Sequence, residues 1–280
     1  MINVKKFGLM LAGLSVMLLA GCGHQLTTTK TTYHRDGLVA VVKGDAGGVK
    51  RVSYHAKTIS GHAQVNDGKY VITVPVSTAK QTVTIKAKNK TVTTKVAAAT
   101  SMGDYAKIAK TYNQALIASA LPADVQKQLK AAGTTKPTKL TPAQQAAMAK
   151  QQAAIKAAMA KATAATKDAQ LPASVSGLKQ VVATAGGKIR LNVQAGQLMG
   201  IADIVPMSAL KNKTQQKQFG LQFGLLATAV GANAKKVASA FQKATKDQDS
   251  SATTIKTIRS NGVKFNVGFS TSELFIYMTK

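Results

Sequence analysis

Side chains able to do chemistry are few in this 280-residue chain, and their placement excludes most catalytic arrangements. There is one cysteine, Cys22, and the four histidines, His24, His34, His55 and His62, all lie near the N-terminus. With no imidazole after His62, composition excludes a Ser-His-Asp triad or a His-ligated zinc in the C-terminal half. His55 and His62 fall in neighbouring strand-like runs and could face each other as a metal pair, but no third ligand accompanies them. Two solvent-facing strand histidines are the simpler reading. The acids are nine aspartates and the single Glu273, with no pair spaced for glycoside hydrolysis. Asp203 is the one acid between Val175 and Lys246, which makes it the candidate functional carboxyl. The competing reading is that it caps a short helix or pairs with a lysine. Asp247 and Asp249 read as loop residues after a helix, and no glycine-rich phosphate loop follows a strand. The expectation is a protein without catalytic residues, metal or cofactor, and not an enzyme.

Cys22 has a different setting. Lys5 and Lys6 precede an apolar run from Phe7 to Leu19, and small residues follow, which is the layout of a secretory signal peptide. The run is too short to be a comfortable membrane-spanning helix. It ends in Leu19-Ala20-Gly21-Cys22, and this tetrapeptide resembles the lipobox of bacterial lipoproteins. The resemblance implies that residues 1–21 are removed and that Cys22 becomes the first residue, its sulfur carrying a diacylglyceryl group. Two acyl chains hold a protein on a bilayer where one holds it only marginally. The expected location is the extracytoplasmic face of the cell membrane, tethered and not spanning. A lone cysteine in an exported chain, otherwise an orphan, is accounted for in this way.

Thirty-eight lysines and arginines against ten acids give a net charge of +28, and loss of Lys5 and Lys6 leaves +26. Such a charge attracts polyanions over a Debye length of about 8 Å in physiological salt. Export and the lack of an aromatic-plus-basic recognition motif argue against nucleic acid. Anionic lipid headgroups and phosphate-rich wall polymers are the remaining partners, beside an envelope protein. Evenly spread lysines that only confer solubility are the bland alternative.

The elements that must carry these residues follow in order. Residues 22–36, rich in threonine, read as a flexible tether. Residues 37–97 read as a small antiparallel β-sandwich: Leu38 to Lys43, Val49 to His55, Tyr70 to Val76, Thr82 to Lys88 and Thr91 to Val96, with a weaker strand near His62 to Val65. Gly47-Gly48, Asn66-Asp67-Gly68 and Lys88-Asn89-Lys90 mark turns. The run from Val65 to Val74 followed by Thr82 to Ala87 resembles bacterial Ig-like surface domains, which implies a spacer or adhesive module. Residues 98–174 switch to helical period. Tyr105, Ile108, Tyr112, Leu116 and Ser119 share a stripe behind Asp104, and Thr141-Pro142 opens a long alanine-rich helix, together suggesting a helical hairpin. Residues 175–280 read as an α+β domain, an antiparallel sheet of about five strands under two helices. Its hairpins lie at Gly186-Gly187 and Ser260-Asn261-Gly262, its helices span Thr214 to Val230 and Ala234 to Lys246, and Gly196 to Leu210 reads as a loop or short helix.

The expected fold is therefore multidomain: an all-β Ig-like sandwich, a helical hairpin and an α+β head. The expected protein is a lipid-anchored surface lipoprotein of a Gram-positive-type envelope. Its non-catalytic head would bind anionic wall polymer or a protein partner. An extracytoplasmic holdase-type chaperone is the alternative. A solute-binding lipoprotein of a transporter is the weaker third reading, because the second half shows no repeated βαβ units.

Overall fold

A computed structural model describes residues 25–132, 141–246 and 254–280. Leu19, Ala20, Gly21 and Cys22, and likewise Asp247 and Asp249, lie outside the described residues. Within them the chain is a mixed α/β, multidomain fold with two seven-stranded sheets and five α-helices.

The first sheet is built from β1 (Thr32–Tyr33), β2 (Val39–Asp45), β3 (Arg51–Ala56), β4 (Ile59–Asn66), β5 (Lys69–Pro75), β6 (Gln81–Ala87) and β7 (Lys90–Val96), in the order β1-β7-β6-β3-β4-β5-β2. Alternation does what the sequence foretells: Tyr70, Ile72 and Val74 of β5 and Val83 and Ile85 of β6 are buried, while Val71, Thr82 and Lys86 point out. Asp67 and Gly68 turn β4 into β5 with positive φ at both positions, the conformation that two-residue hairpins favour.

The expected tether of residues 22–36 is not free over the part described. Thr27 exchanges two backbone hydrogen bonds with Asp45, and Thr29 N–H donates to Lys43 O. The chain then crosses over, and β1 runs parallel to β7 with Lys95 N–H donating to Thr31 O. The N-terminal segment thus covers both edges of the sheet. Two buried tyrosines hold it: Tyr70 Oη donates to Thr27 O at 2.6 Å and Tyr33 Oη to Lys43 O at 2.7 Å. Bare sheet edges invite pairing with other chains, and a polar threonine-rich segment fills them as well as an apolar one because its backbone supplies the bonds.

The second sheet has the order β12-β13-β14-β11-β10-β9, with β8 paired to the start of β11. Its strands are β8 (Gly103–Asp104), β9 (Gly177–Thr184), β10 (Gly187–Gln194), β11 (Gln197–Pro206), β12 (Thr254–Ser260), β13 (Val263–Phe269) and β14 (Glu273–Thr279). Two expectations from the sequence are overturned in this sheet. The segment from Gly196 to Leu210 is mostly the longest strand of the sheet, not a loop or short helix, and with β8 the sheet has seven strands instead of five. From Leu198 to Val205 every residue of β11 is buried, so the alternation that betrays a strand is lost.

One face of this sheet is covered by α1 (Tyr105–Ser119), α4 (Lys213–Ala229) and α5 (Ala234–Lys246), three helices where two were expected. Asp104 caps α1 by accepting from Lys107 N–H at 2.9 Å. The stripe Tyr105, Ile108, Tyr112 and Leu116 enters the same core as Phe223, Phe265 and Ile276, so the first helix of the 98–174 segment belongs to the head. The helical hairpin proper is α2 (Ala123–Ala132) and α3 (Pro142–Ala165), joined through a small cluster of Leu121, Val125 and Ala162. Thr141 and Gln144 form a reciprocal capping box at the start of α3.

The two sheets meet at a polar joint. Asn192 is fully buried, and its Nδ2 donates to Leu38 O and Val76 O, both at 2.9 Å. Leu38 packs on Ala202 and Ile204 of β11, and Met199 joins the core of the first sheet. At Gly37, with φ of +57°, a Cβ would come within 2.9 Å of the Tyr277 ring, so only glycine lets the chain pass.

Candidate functional site

Asp203, the acid singled out by its isolation in the sequence, sits midway along β11, opposite Ile189 of β10 and Ile276 of β14. Among the described residues it caps no helix and pairs with no lysine. It is completely buried under α4, where Gln222 Nε2 donates to its Oδ1 at 2.7 Å while Oδ2 has no partner. Burial pushes its pKa from 3.8 up to about 7, and the Gln222 bond only partly opposes this. Tyr112 of α1, also fully buried, has a hydroxyl without a partner, and its pKa is raised by burial and then by the charge of Asp203.

The cluster is therefore one carboxyl, one amide and one phenol from β11, α4 and α1, set in an apolar core. An unmade hydrogen bond in such a place costs about 1–3 kcal/mol, so two unpartnered oxygens are a standing cost to the fold. Among the described residues no imidazole and no second carboxylate bonds to Asp203. The arrangement can hold a proton or accept a hydrogen bond, and supplies no nucleophile–base pair.

His55 and His62 share one face of the first sheet, since Ser53 opposes His62 and His55 opposes Ser60. They are diagonal neighbours, both exposed, and no group of three metal-ligating side chains occurs among the described residues. Cys22, the expected lipidation site, is not among those residues.

The cationic surface is largely unneutralised. Only two ion pairs occur among the described residues, Lys69 with Asp45 at 3.0 Å and Lys188 with Glu273 at 3.2 Å, both partly exposed. No acid occurs in α3, α4 or α5, while Lys150, Lys156, Lys213, Lys217 and Lys235 extend from them. At the joint between the sheets a cleft of ≈ 380 Å³ is lined by Arg35, Lys264 and Lys280, with Asp36 its one acid. Arg35 reaches across this joint, donating from Nη1 to Lys280 O and from Nη2 to Thr100 O.

Sequence reasoning found Asp203 but not its partners. Tyr112 reads there as a member of a helical stripe, and nothing in the sequence singles out Gln222 or Asn192. No helix among the described residues is long and apolar enough to cross a membrane. No protein-family model matches this sequence, and no curated protein shows significant similarity to it.

Proposed function

We propose that this protein is a lipid-anchored, non-catalytic module of a Gram-positive-type cell envelope, whose cationic head binds anionic wall polymer. Cys22 is its lipidation site, with Leu19, Ala20 and Gly21 completing the lipobox, and the first sheet is an Ig-like sandwich acting as a spacer. The support for the anchor is the signal-like run ending at the single cysteine. The support for the Ig-like reading is a seven-stranded sheet whose N-terminal segment passes from one edge strand to the other.

The observation that carries the binding half is the unpaired charge. With two ion pairs among the described residues, most lysines face solvent free to meet phosphate. Long flexible lysines spread over several helices suit an extended, repetitive polyanion better than a single small anion.

Two experiments test this reading. Labelled lipid should attach to the full chain in cells that process lipoproteins and should fail to attach to Cys22→Ser. Retention of a chain beginning at residue 25 on purified teichoic acid should fall steeply from low to high salt. Retention indifferent to salt overturns the electrostatic mechanism, and lipid labelling of Cys22→Ser overturns the anchor.

A holdase role is the second reading, favoured by the α2–α3 hairpin, which leaves Leu129, Met148 and Met159 exposed. Methionine-rich surfaces adapt to varied apolar clients. Suppression of the aggregation of an unfolded exported protein, lost in Met148→Lys/Met159→Lys, would favour it over the polymer reading.

A further inference from the structure

A cavity of ≈ 260 Å³ opens where α1, the end of α3 and α4 converge over the edge of the second sheet. Its lining differs in kind from the rest of the molecule. No lysine or arginine among the described residues lines it, although the chain carries 38 of them, and its one charged side chain is Asp168.

The wall is mostly apolar, with hydrogen-bond acceptors at a few points. Gln222 has its Nε2 committed to Asp203, which leaves Oε1 as an acceptor. Gln218 makes no side-chain bond to the described residues and is exposed at the mouth, and Asp168 is exposed as well. Tyr112 closes the inner end with its ring, while its own hydroxyl is fully buried and has no partner. The other surfaces are apolar: Leu116 is buried behind the wall and Leu221 is 43 % exposed at the mouth.

We propose that this pocket binds a single neutral sugar ring or comparable polyol, with its C–H face on Leu221 and its hydroxyls on Gln218, Gln222 and Asp168. Amides and carboxylates accept from vicinal hydroxyls, and an apolar wall suits the C–H face of a pyranose. The volume falls below that of pockets for drug-sized ligands, which fits one ring and no more. An anion is disfavoured, because Asp168 stands at the rim and no described lysine or arginine lines the pocket to answer it. Sugar binding here does not depend on the anchor at Cys22 or on polymer binding by the cationic surface.

Saturation-transfer NMR on the full chain in detergent micelles tests it, with glucose and N-acetylglucosamine as probes and butylamine as the amine control. Transfer to sugar ring protons is expected, with affinity falling about tenfold in Gln218→Leu, the worth of one hydrogen bond. It should also be abolished in Ala165→Trp, which adds bulk at an exposed lining position. Unchanged thermal midpoints in both variants show that the fold survives. No transfer to either sugar, transfer to butylamine alone, or sugar transfer that persists in both variants overturns the proposal.

Discussion

A carboxyl that must stay neutral to be tolerated makes folding depend on pH in a direction opposite to most acids. Between 3.8 and about 7 the folded protein keeps a proton on Asp203 that the unfolded chain has released. The native state then binds more protons, so this group lowers stability as pH rises through that window, and the full penalty is present above it. In Asp203→Asn the acceptor for Gln222 remains and the ionisation disappears. Its unfolding free energy above neutral pH should exceed that of the parent by on the order of 2 kcal/mol, and its pH slope across the window should flatten. A parallel pair of pH profiles would show that Asp203 ionises freely in the fold. Glycines give a second residue-scale contrast. A Cβ at Gly44 would run into Thr27 O and Tyr70 Oη, whereas one at Gly220 or Gly224 on α4 meets nothing within 4 Å. Gly44→Ala should cost about 2 kcal/mol or more, and Gly220→Ala and Gly224→Ala should each gain roughly 0.5–1 kcal/mol in urea unfolding. Asp203 was conspicuous in the sequence because it stood alone among apolar and basic residues. Its partners were not, since Gln222 is 19 residues away and joins it only when α4 folds onto β11.

Elements with one wet face were legible, and so was β14 with its two apolar faces, whereas β11 was not. The strands β5, β6 and β13 alternate, the Thr141-Pro142 start of α3 carries its cap, and the Asn261-Gly262 turn joins β12 to β13 as its residues demand. By contrast β11 hides its period because helices cover one side and Leu38 with its neighbours covers part of the other, while Gly200 and Pro206 mimic turn signals. The threonines of residues 27–32 hide their structure for the opposite reason. Their side chains are polar, and what fixes them is main-chain bonding to strands they do not resemble. The joint between the sheets depends on one such hidden residue. Asn192→Ala would leave Leu38 O and Val76 O unanswered in a buried position, and the urea midpoint should fall by an amount equivalent to about 2–4 kcal/mol with the slope unchanged. An unaltered midpoint would mean that water replaces the amide without loss.

For the molecule as a whole, charge is the one large force that packing leaves unbalanced. A net +28 with two ion pairs among the described residues means that like charges repel across the folded surface. Added salt screens repulsion and attraction alike, so its net effect reports which prevails. The thermal midpoint should climb by a few degrees between dilute buffer and about 0.15 M sodium chloride. A fall would show that attractive pairs outweigh repulsion. The crossing of the N-terminal segment from β2 to β7 has a consequence for any event that cuts the protein loose. On the proposed anchoring at Cys22, backbone bonding that is under way by Gln25 leaves a protease few residues to cut before the first sheet. Shedding would then require cleavage within the few residues just after Cys22, or prior melting of that sheet. On lipid vesicles, brief digestion should therefore release the body slowly, at a rate that tracks its unfolding.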